Sequence, residues 1–191
     1  MMPLLEAAKG LEEFFAERNW RFAIIGGLAL LRWGEPRFTR DVDVTLLCGF
    51  GREDQFIAPI LEAGYRGRIS GAAAFARQHR VLLLEAPNRV PIDIALSGLP
   101  YEETLVDRST LFDFAPECRL RTCSAEDLIV LKLFASRPRD LADAESVALR
   151  QRESLDWRYI ENQLRPLAEV KDQAEIMLAM RRLRGLPGGG K

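Results

Sequence analysis

The sequence predicts an α+β protein, with a mixed β-sheet flanked by helices over residues 1–122 and a helical part over 123–185. Two observations carry this. Segments of strand period cluster before Thr122, and segments of helical period take over from Ser124. A chain of 191 residues with 48% hydrophobic content can bury one good core and a small helical second unit. The last residues, 186–191, form a Gly-rich tail expected to be disordered.

Leu4, Leu5, Ala8, Leu11, Phe14 and Phe15 recur at helical spacing and predict a first amphipathic helix over 4–17. A strand over Phe22–Ile25 is expected to end at Gly26-Gly27, with a short helix in LALLRW behind it. From Arg37 to Leu47 the chain alternates. Thr39, Asp41, Asp43 and Thr45 are predicted on one face, and Val42, Val44 and Leu46 on the other. A helix over 53–63 stops at Gly64, two strands over 79–85 and 89–96 make a hairpin, and a short strand is allowed near Arg119–Arg121. Ser124 is a predicted N-cap with Glu126 and Asp127 in the first turn, and its helix ends at the Arg137-Pro138 step. Further helices are expected over 140–151, 156–164 and 172–184.

Composition excludes some classes of function. A net charge of −1 argues against a protein coated in basic surface for long nucleic acid. Arginine carries nearly all the positive charge, since only Lys9, Lys132, Lys171 and Lys191 are lysines. Cys48, Cys118 and Cys123 form no CxxC pair and have one histidine, His79, to share, so they read as buried thiols in a reducing compartment. MMPLLEAAKG lacks the pattern of a signal peptide, and the apolar stretch 22–31 is about half of the ~20 residues a membrane span needs. A cytoplasmic protein without membrane contact is expected.

The informative constellation is a strand ending in Gly26-Gly27, a spacer of thirteen residues, and a strand carrying Asp41-Val42-Asp43. Glycines at a strand-to-helix turn admit a phosphate, and the helix start offers it free N–H groups. Two aspartates at i and i+2 on a strand share a face and can reach one hard cation. Like charges side by side are costly unless compensated, and magnesium would compensate both. Asp93 sits alone in the apolar segment VPIDIAL. If its strand lies beside that of Asp41, the three carboxylates can hold two metal ions, with Asp93 also accepting a hydroxyl proton. Taken singly, these features have plainer readings as a tight turn, a solvated strand edge and a strand-end ion pair. Lys132 interrupts the apolar run 128–135, and a buried ammonium needs a carboxylate or a phosphate. Arg137, Arg139, Asp140 and Asp143 could form a surface salt-bridge network, the preferred reading for Arg139.

Ile25-Gly26-Gly27 followed after the spacer by Asp41-Val42-Asp43-Val44 resembles the signature of the polymerase-β-like nucleotidyltransferase superfamily. Gly-Gly-Leu-Ala-Leu, Arg37-Phe-Thr39-Arg-Asp41-Val-Asp43, and the segment from Ser124 through Lys132, Arg137 and Asp140 to Asp143 are similar to its AbiEii toxin-type branch. The resemblance implies a nucleotidyltransferase fold, with Gly26 and Gly27 at the triphosphate and Asp41, Asp43 and Asp93 at the metals. It also implies Lys132 and Asp140 as late-motif active-site residues. Arg37 and Thr39, just before the aspartate pair, and Arg137 are candidates for phosphate contact. Many superfamily members have serine where Gly27 stands, and many toxin-type members carry a larger helical C-terminal part.

The expected activity is transfer of a nucleoside monophosphate from a nucleoside triphosphate such as ATP, GTP or CTP to a hydroxyl, with Mg2+ or Mn2+. By resemblance the acceptor is RNA, including a transfer RNA end, and a cognate antitoxin protein is a second expected partner. One alternative acceptor is a small hydroxylated molecule such as an antibiotic, for which Glu102-Glu103 offer an acidic wall. The other alternative is a non-catalytic nucleotide-binding component of a toxin–antitoxin pair.

Overall fold

Short leucine- and β-branched-rich runs pair into one mixed sheet in the computed structural model, which describes residues 2–186. The strands are β1 (Phe22–Ile24), β2 (Val42–Leu47), β3 (Arg66–Gly67), β4 (Val81–Glu85), β5 (Pro91–Ser97), β6 (Thr110–Ala115) and β7 (Cys118–Thr122). Their spatial order is β3-β4-β5-β2-β1-β7-β6. The β2/β5 and β1/β7 pairs are parallel and the remaining pairs antiparallel. The sheet belongs to one of two compact units, which comprises the residues up to Leu28 and Phe38–Cys123. The other contains Ala29–Arg37 and the residues from Ser124 on.

The period of two decides what the sheet buries. Val42, Val44 and Leu46, with Leu82, Leu84, Ile92, Ile94 and Leu96, are essentially inaccessible. Asp43, Leu83 and Asp93 alternate with them on the half-exposed face. Helices of this unit are α1 (Pro3–Glu17), α3 (Asp54–Glu62), α4 (Ala72–His79) and α5 (Pro100–Asp107). The apolar stripe of α1 buries Leu4, Leu5, Ala8, Leu11 and Phe15 as its spacing requires, and the Phe15 ring packs against Phe22 and Trp20.

Several expectations need correction. Gly26 and Gly27 do not form a turn ahead of a helix; they are the first residues of α2 (Gly26–Trp33). The strand predicted from Arg37 begins only at Val42, because pairing to β1 starts at Val44 and pairing to β5 at Val42. Asp41 therefore lies just outside the strand, and Thr45 is buried instead of sharing a solvated face with Asp43. β3, α4, α5 and β6 were not anticipated. β3 has two residues, too few for any period, and α4 follows Gly71 in the left-handed region without a side-chain cap.

The second unit packs α6 (Ala125–Ala135), α7 (Pro138–Gln151), α8 (Trp157–Lys171) and α9 (Ala174–Arg184) with the last five residues of α2. Ser124 caps α6 as predicted: its Oγ accepts from Asp127 N at 3.1 Å. The fully buried Asp127 carboxylate also accepts from Ser124 Oγ at 2.6 Å and from Tyr159 Oη at 2.6 Å. α8 runs through Pro166 to Lys171, past the predicted end at Leu164. Ile176, Met180 and Leu183 of α9 are buried. Among the described residues no helix is long and apolar enough to cross a membrane. The cysteines are free and buried. The predicted disordered tail lies, from residue 187 on, outside the described residues.

Candidate active site

In the sheet unit, the parallel register of β2 and β5 sets Asp43 opposite Asp93. Adjacent strands lie about 4.8 Å apart, so the two carboxylates leave neighbouring backbone positions on one face. The row extends across the sheet. Leu83 of β4 is in register with Asp93, and Arg68, just past β3, donates its backbone N–H to Leu83 O at 3.0 Å. On the other side, Ile25 N donates to Asp43 O at 2.9 Å.

Asp41 stands two residues ahead of Asp43, and its Oδ1 accepts from Thr39 Oγ1 at 3.0 Å. The glycines serve this packing directly. Gly26 has φ +60°, and a Cβ there would lie 2.6 Å from Asp43 Cγ; at Gly27 it would lie 2.6 Å from Thr39 Cβ. Side chains at these two positions would push Asp43 and the Thr39 loop off the start of α2.

Asp93 forms an ion pair with Arg68, each side chain about one-third exposed, at 34% and 32%. Desolvation pushes the Asp93 carboxyl above the ordinary carboxylate range; Arg68 opposes the shift and the charge of Asp41 adds to it. Among the described residues no three acidic, histidine or cysteine side chains sit close enough to make a ready-formed metal cage. Asp41, Asp43 and Asp93 are thus neighbours without being a closed ligand set.

The second unit holds a different charged cluster. Lys132, 8% exposed on α6, has its Nζ 2.9 Å from Asp140 Oδ1 and 2.8 Å from Asp143 Oδ2. The buried ammonium thus finds two carboxylates. Arg37 forks onto Asp143, with Nε donating to Oδ1 at 2.8 Å and Nη2 to Oδ2 at 2.7 Å. Burial alone would raise the Asp143 pKa, but the hydrogen bonds from Arg37 and Lys132 outweigh it and hold the carboxyl below its ordinary range. Asp143, at 5% exposure, is therefore not part of a surface network. The residues before Arg37 are tied to α7 as well, since Gln151 Nε2 donates to Trp33 O at 2.8 Å and Glu35 N donates to Ser146 Oγ at 3.1 Å. Arg137 is exposed at the N-cap of α7.

Arg68 is the residue that sequence reasoning did not single out. Its one signal was the basic segment 66–68 between Gly64 and Gly71. Glu102, considered for an acidic wall, instead accepts from the backbone N–H groups of Gly98 and Leu99 at 2.8 Å each and caps α5.

Known structures share this fold. One is the crystal structure of an antigenic nucleotidyltransferase-like protein from Paracoccidioides brasiliensis, at 14% identity over 94% of this chain and 92% of that one, with a TM-score of 0.54. Another is the solution structure of the antibiotic-resistance factor ANT(2'')-Ia, at 18% identity over 88% and 92%, with a TM-score of 0.55. No curated protein matches the sequence. The family model described as nucleotidyl transferase AbiEii toxin, type IV toxin–antitoxin system, matches residues 11–173. Because that match runs from α1 through both carboxylate strands and the Lys132 helix into the residues after α8, the chain belongs to the AbiEii nucleotidyltransferase toxin family and is a nucleotidyltransferase.

Proposed function

We propose that this enzyme moves a nucleoside monophosphate from a nucleoside triphosphate to a hydroxyl of RNA, with divalent metal held by Asp41, Asp43 and Asp93. The register of Asp43 with Asp93 on parallel strands, with Asp41 two residues upstream, carries this reading. Three neighbouring hard oxygen donors suit Mg2+ or Mn2+. The raised pKa of Asp93, desolvated and beside Asp41, marks a carboxylate that a cation would relieve. Bound there, the metal would neutralise charge developing on the transferred phosphoryl group.

The chain's own residues then have separate tasks. Asp41 and Asp43 bind metal, with Thr39 orienting the Asp41 carboxylate. Asp93 binds metal and accepts the proton of the attacking hydroxyl. Gly26 and Gly27 open the N-terminus of α2 to the triphosphate. Lys132, Asp140 and Arg37 act through structure: with Asp143 they anchor the segment whose next residues are Phe38 and Thr39. Arg137, exposed at its helix start, is left for phosphate contact. Buried free thiols fit a reducing cytoplasm, and a cognate antitoxin is the partner the family description suggests.

A small-molecule acceptor is the second reading, favoured by the fold shared with the antibiotic-resistance factor over 88% of this chain. One experiment separates the two. Purified protein is incubated with each α-labelled nucleoside triphosphate, magnesium and total RNA, beside Asp41→Asn and Asp43→Asn controls. Label entering RNA only with the native protein supports the proposal and names the nucleotide. Label appearing in a panel of hydroxylated antibiotics but never in RNA supports the second reading and defeats the first.

A further inference from the structure

Arg68 shares a row with both strand aspartates. It is fixed at the backbone by the Arg68 N to Leu83 O hydrogen bond and by the pairing of Gly67 with Leu84. A Cβ on Gly67 would lie 2.6 Å from Ala72 Cβ, so β3 is also pressed against the start of α4. From this held backbone the guanidinium reaches across Leu83 to Asp93 and donates Nη2 to Oδ1. Both side chains remain about one-third exposed, so this is a pair that solvent can open. The parallel register also sets Asp43 opposite Asp93, which brings a second carboxylate to the same face.

We propose that Arg68 is an internal cation that holds Asp93 in the metal-free enzyme, yields it to the incoming metal, and pairs instead with the triphosphate. The inference rests on the assignment of Asp93 as a metal ligand. Its physical content is a competition followed by an exchange. With Arg68 on Asp93 Oδ1, its positive charge opposes a divalent ion at the same carboxylate, so metal alone binds weakly while the pair is closed. A triphosphate offers phosphoryl oxygens suited to the same guanidinium fork, so the displaced donor regains a partner. Metal and nucleotide therefore strengthen each other's binding, and Arg68 is a positioning residue that transmits the coupling.

The test is Mn2+ binding to the intact protein, read from the loss of the free-ion electron paramagnetic resonance signal beyond that in a protein-free control with the same nucleotide. Titrations are run without nucleotide and with each α,β-methylene nucleoside triphosphate, which cannot be cleaved at that bond. Arg68→Gln is expected to tighten Mn2+ binding without nucleotide by about tenfold, and to shrink the further gain that nucleotide brings. Arg68→Lys, which keeps the charge but not the fork, falls between. Arg66→Gln, two residues back on β3, changes affinity by less than about twofold, which separates contact from the general field. In an Asp93→Asn background, Arg68→Gln has no such effect. Unchanged Mn2+ affinity in Arg68→Gln, or an equal gain in Arg66→Gln, overturns the inference while leaving the metal site intact. Native protein that takes up no Mn2+ even with nucleotide overturns the metal assignment itself, and the inference with it.

Discussion

Two charged clusters among the described residues differ in burial and in the direction in which a carboxyl is shifted. In the sheet unit, Asp41, Asp43 and Asp93 gather near Arg68, about one-third exposed. In the helical unit, Asp140 and Asp143 meet Lys132 and Arg37, with Asp143 and Lys132 at 5% and 10% side-chain exposure. In the first, burial pushes the Asp93 carboxyl up against the pull of Arg68, and the charge of Asp41 adds to the rise. In the second, Arg37 and Lys132 hold the Asp143 carboxyl down despite its burial. On the proposed function the first, accessible cluster takes a cation from outside, and the second, whose charges pair with one another, serves the fold.

The sharpest break between them would be in activity. Asp41→Asn or Asp43→Asn should lower nucleotidyl transfer by about a thousandfold or more while the protein stays folded, measured by label transfer beside thermal unfolding. Loss of fold in these variants would erase the contrast. Asp143→Asn should do the reverse in the other unit, leaving buried Lys132 and half-buried Arg37 without their shared carboxylate. Stability should fall by about 3–5 kcal/mol in urea unfolding. A variant that unfolds at the native urea concentration but cannot transfer label would make this cluster catalytic.

Gly26→Ala sharpens the comparison at smaller scale. It places a side chain at φ +60° and drives a methyl group into Asp43. The backbone strain is about 1–2 kcal/mol, and the displaced carboxylate should cost at least about tenfold in transfer. An unchanged transfer rate would mean that Asp43 can move without consequence.

The smallest effect is in pH. The Asp143 pKa is depressed in the folded state, so its contribution to stability is complete above the ordinary value of 3.8 and is lost as pH falls through the depressed value. Asp93 has the opposite sign. Its raised pKa makes the metal-free fold relatively more stable as pH falls from above that raised value towards 3.8. Acid unfolding of Asp143→Asn should therefore be flatter than native below pH 3.8, and that of Asp93→Asn steeper between 3.8 and the raised value. Identical acid profiles for all three proteins would remove the electrostatic distinction.

The strands expected over 37–47, 79–85 and 89–96 were legible, with shifted ends, because burial of one face writes itself into apolar spacing. The Ser124 cap was legible because capping is local chemistry. β3, α4, α5 and β6 were not, since a two-residue strand and a helix without a side-chain cap leave no periodic trace. At the site, Asp41, Asp43 and Asp93 were singled out from the residues, and the resemblance supplied their expected roles. Lys132 was noticed because an ammonium inside an apolar run demands a partner. Arg68 escaped notice because its partner lies twenty-five residues away along the chain. Asp143, placed by its neighbours on the surface, is buried because α7 turns it inward against Lys132.

What the sequence by itself determined is chemistry that depends on short spacing. The aspartates at i and i+2, the small glycines before them and the lone lysine in its helix are all readable within a few residues. What only the tertiary structure decided is which distant charges meet. The β2/β5 register sets Asp43 beside Asp93, the extension of β3 brings Arg68 onto the same row, and the turn at Ser136 folds α7 so that Asp140 and Asp143 reach Lys132. Electrostatic balance is a property of that three-dimensional neighbourhood, because Coulomb attraction depends on separation in space and on burial, neither of which chain position records.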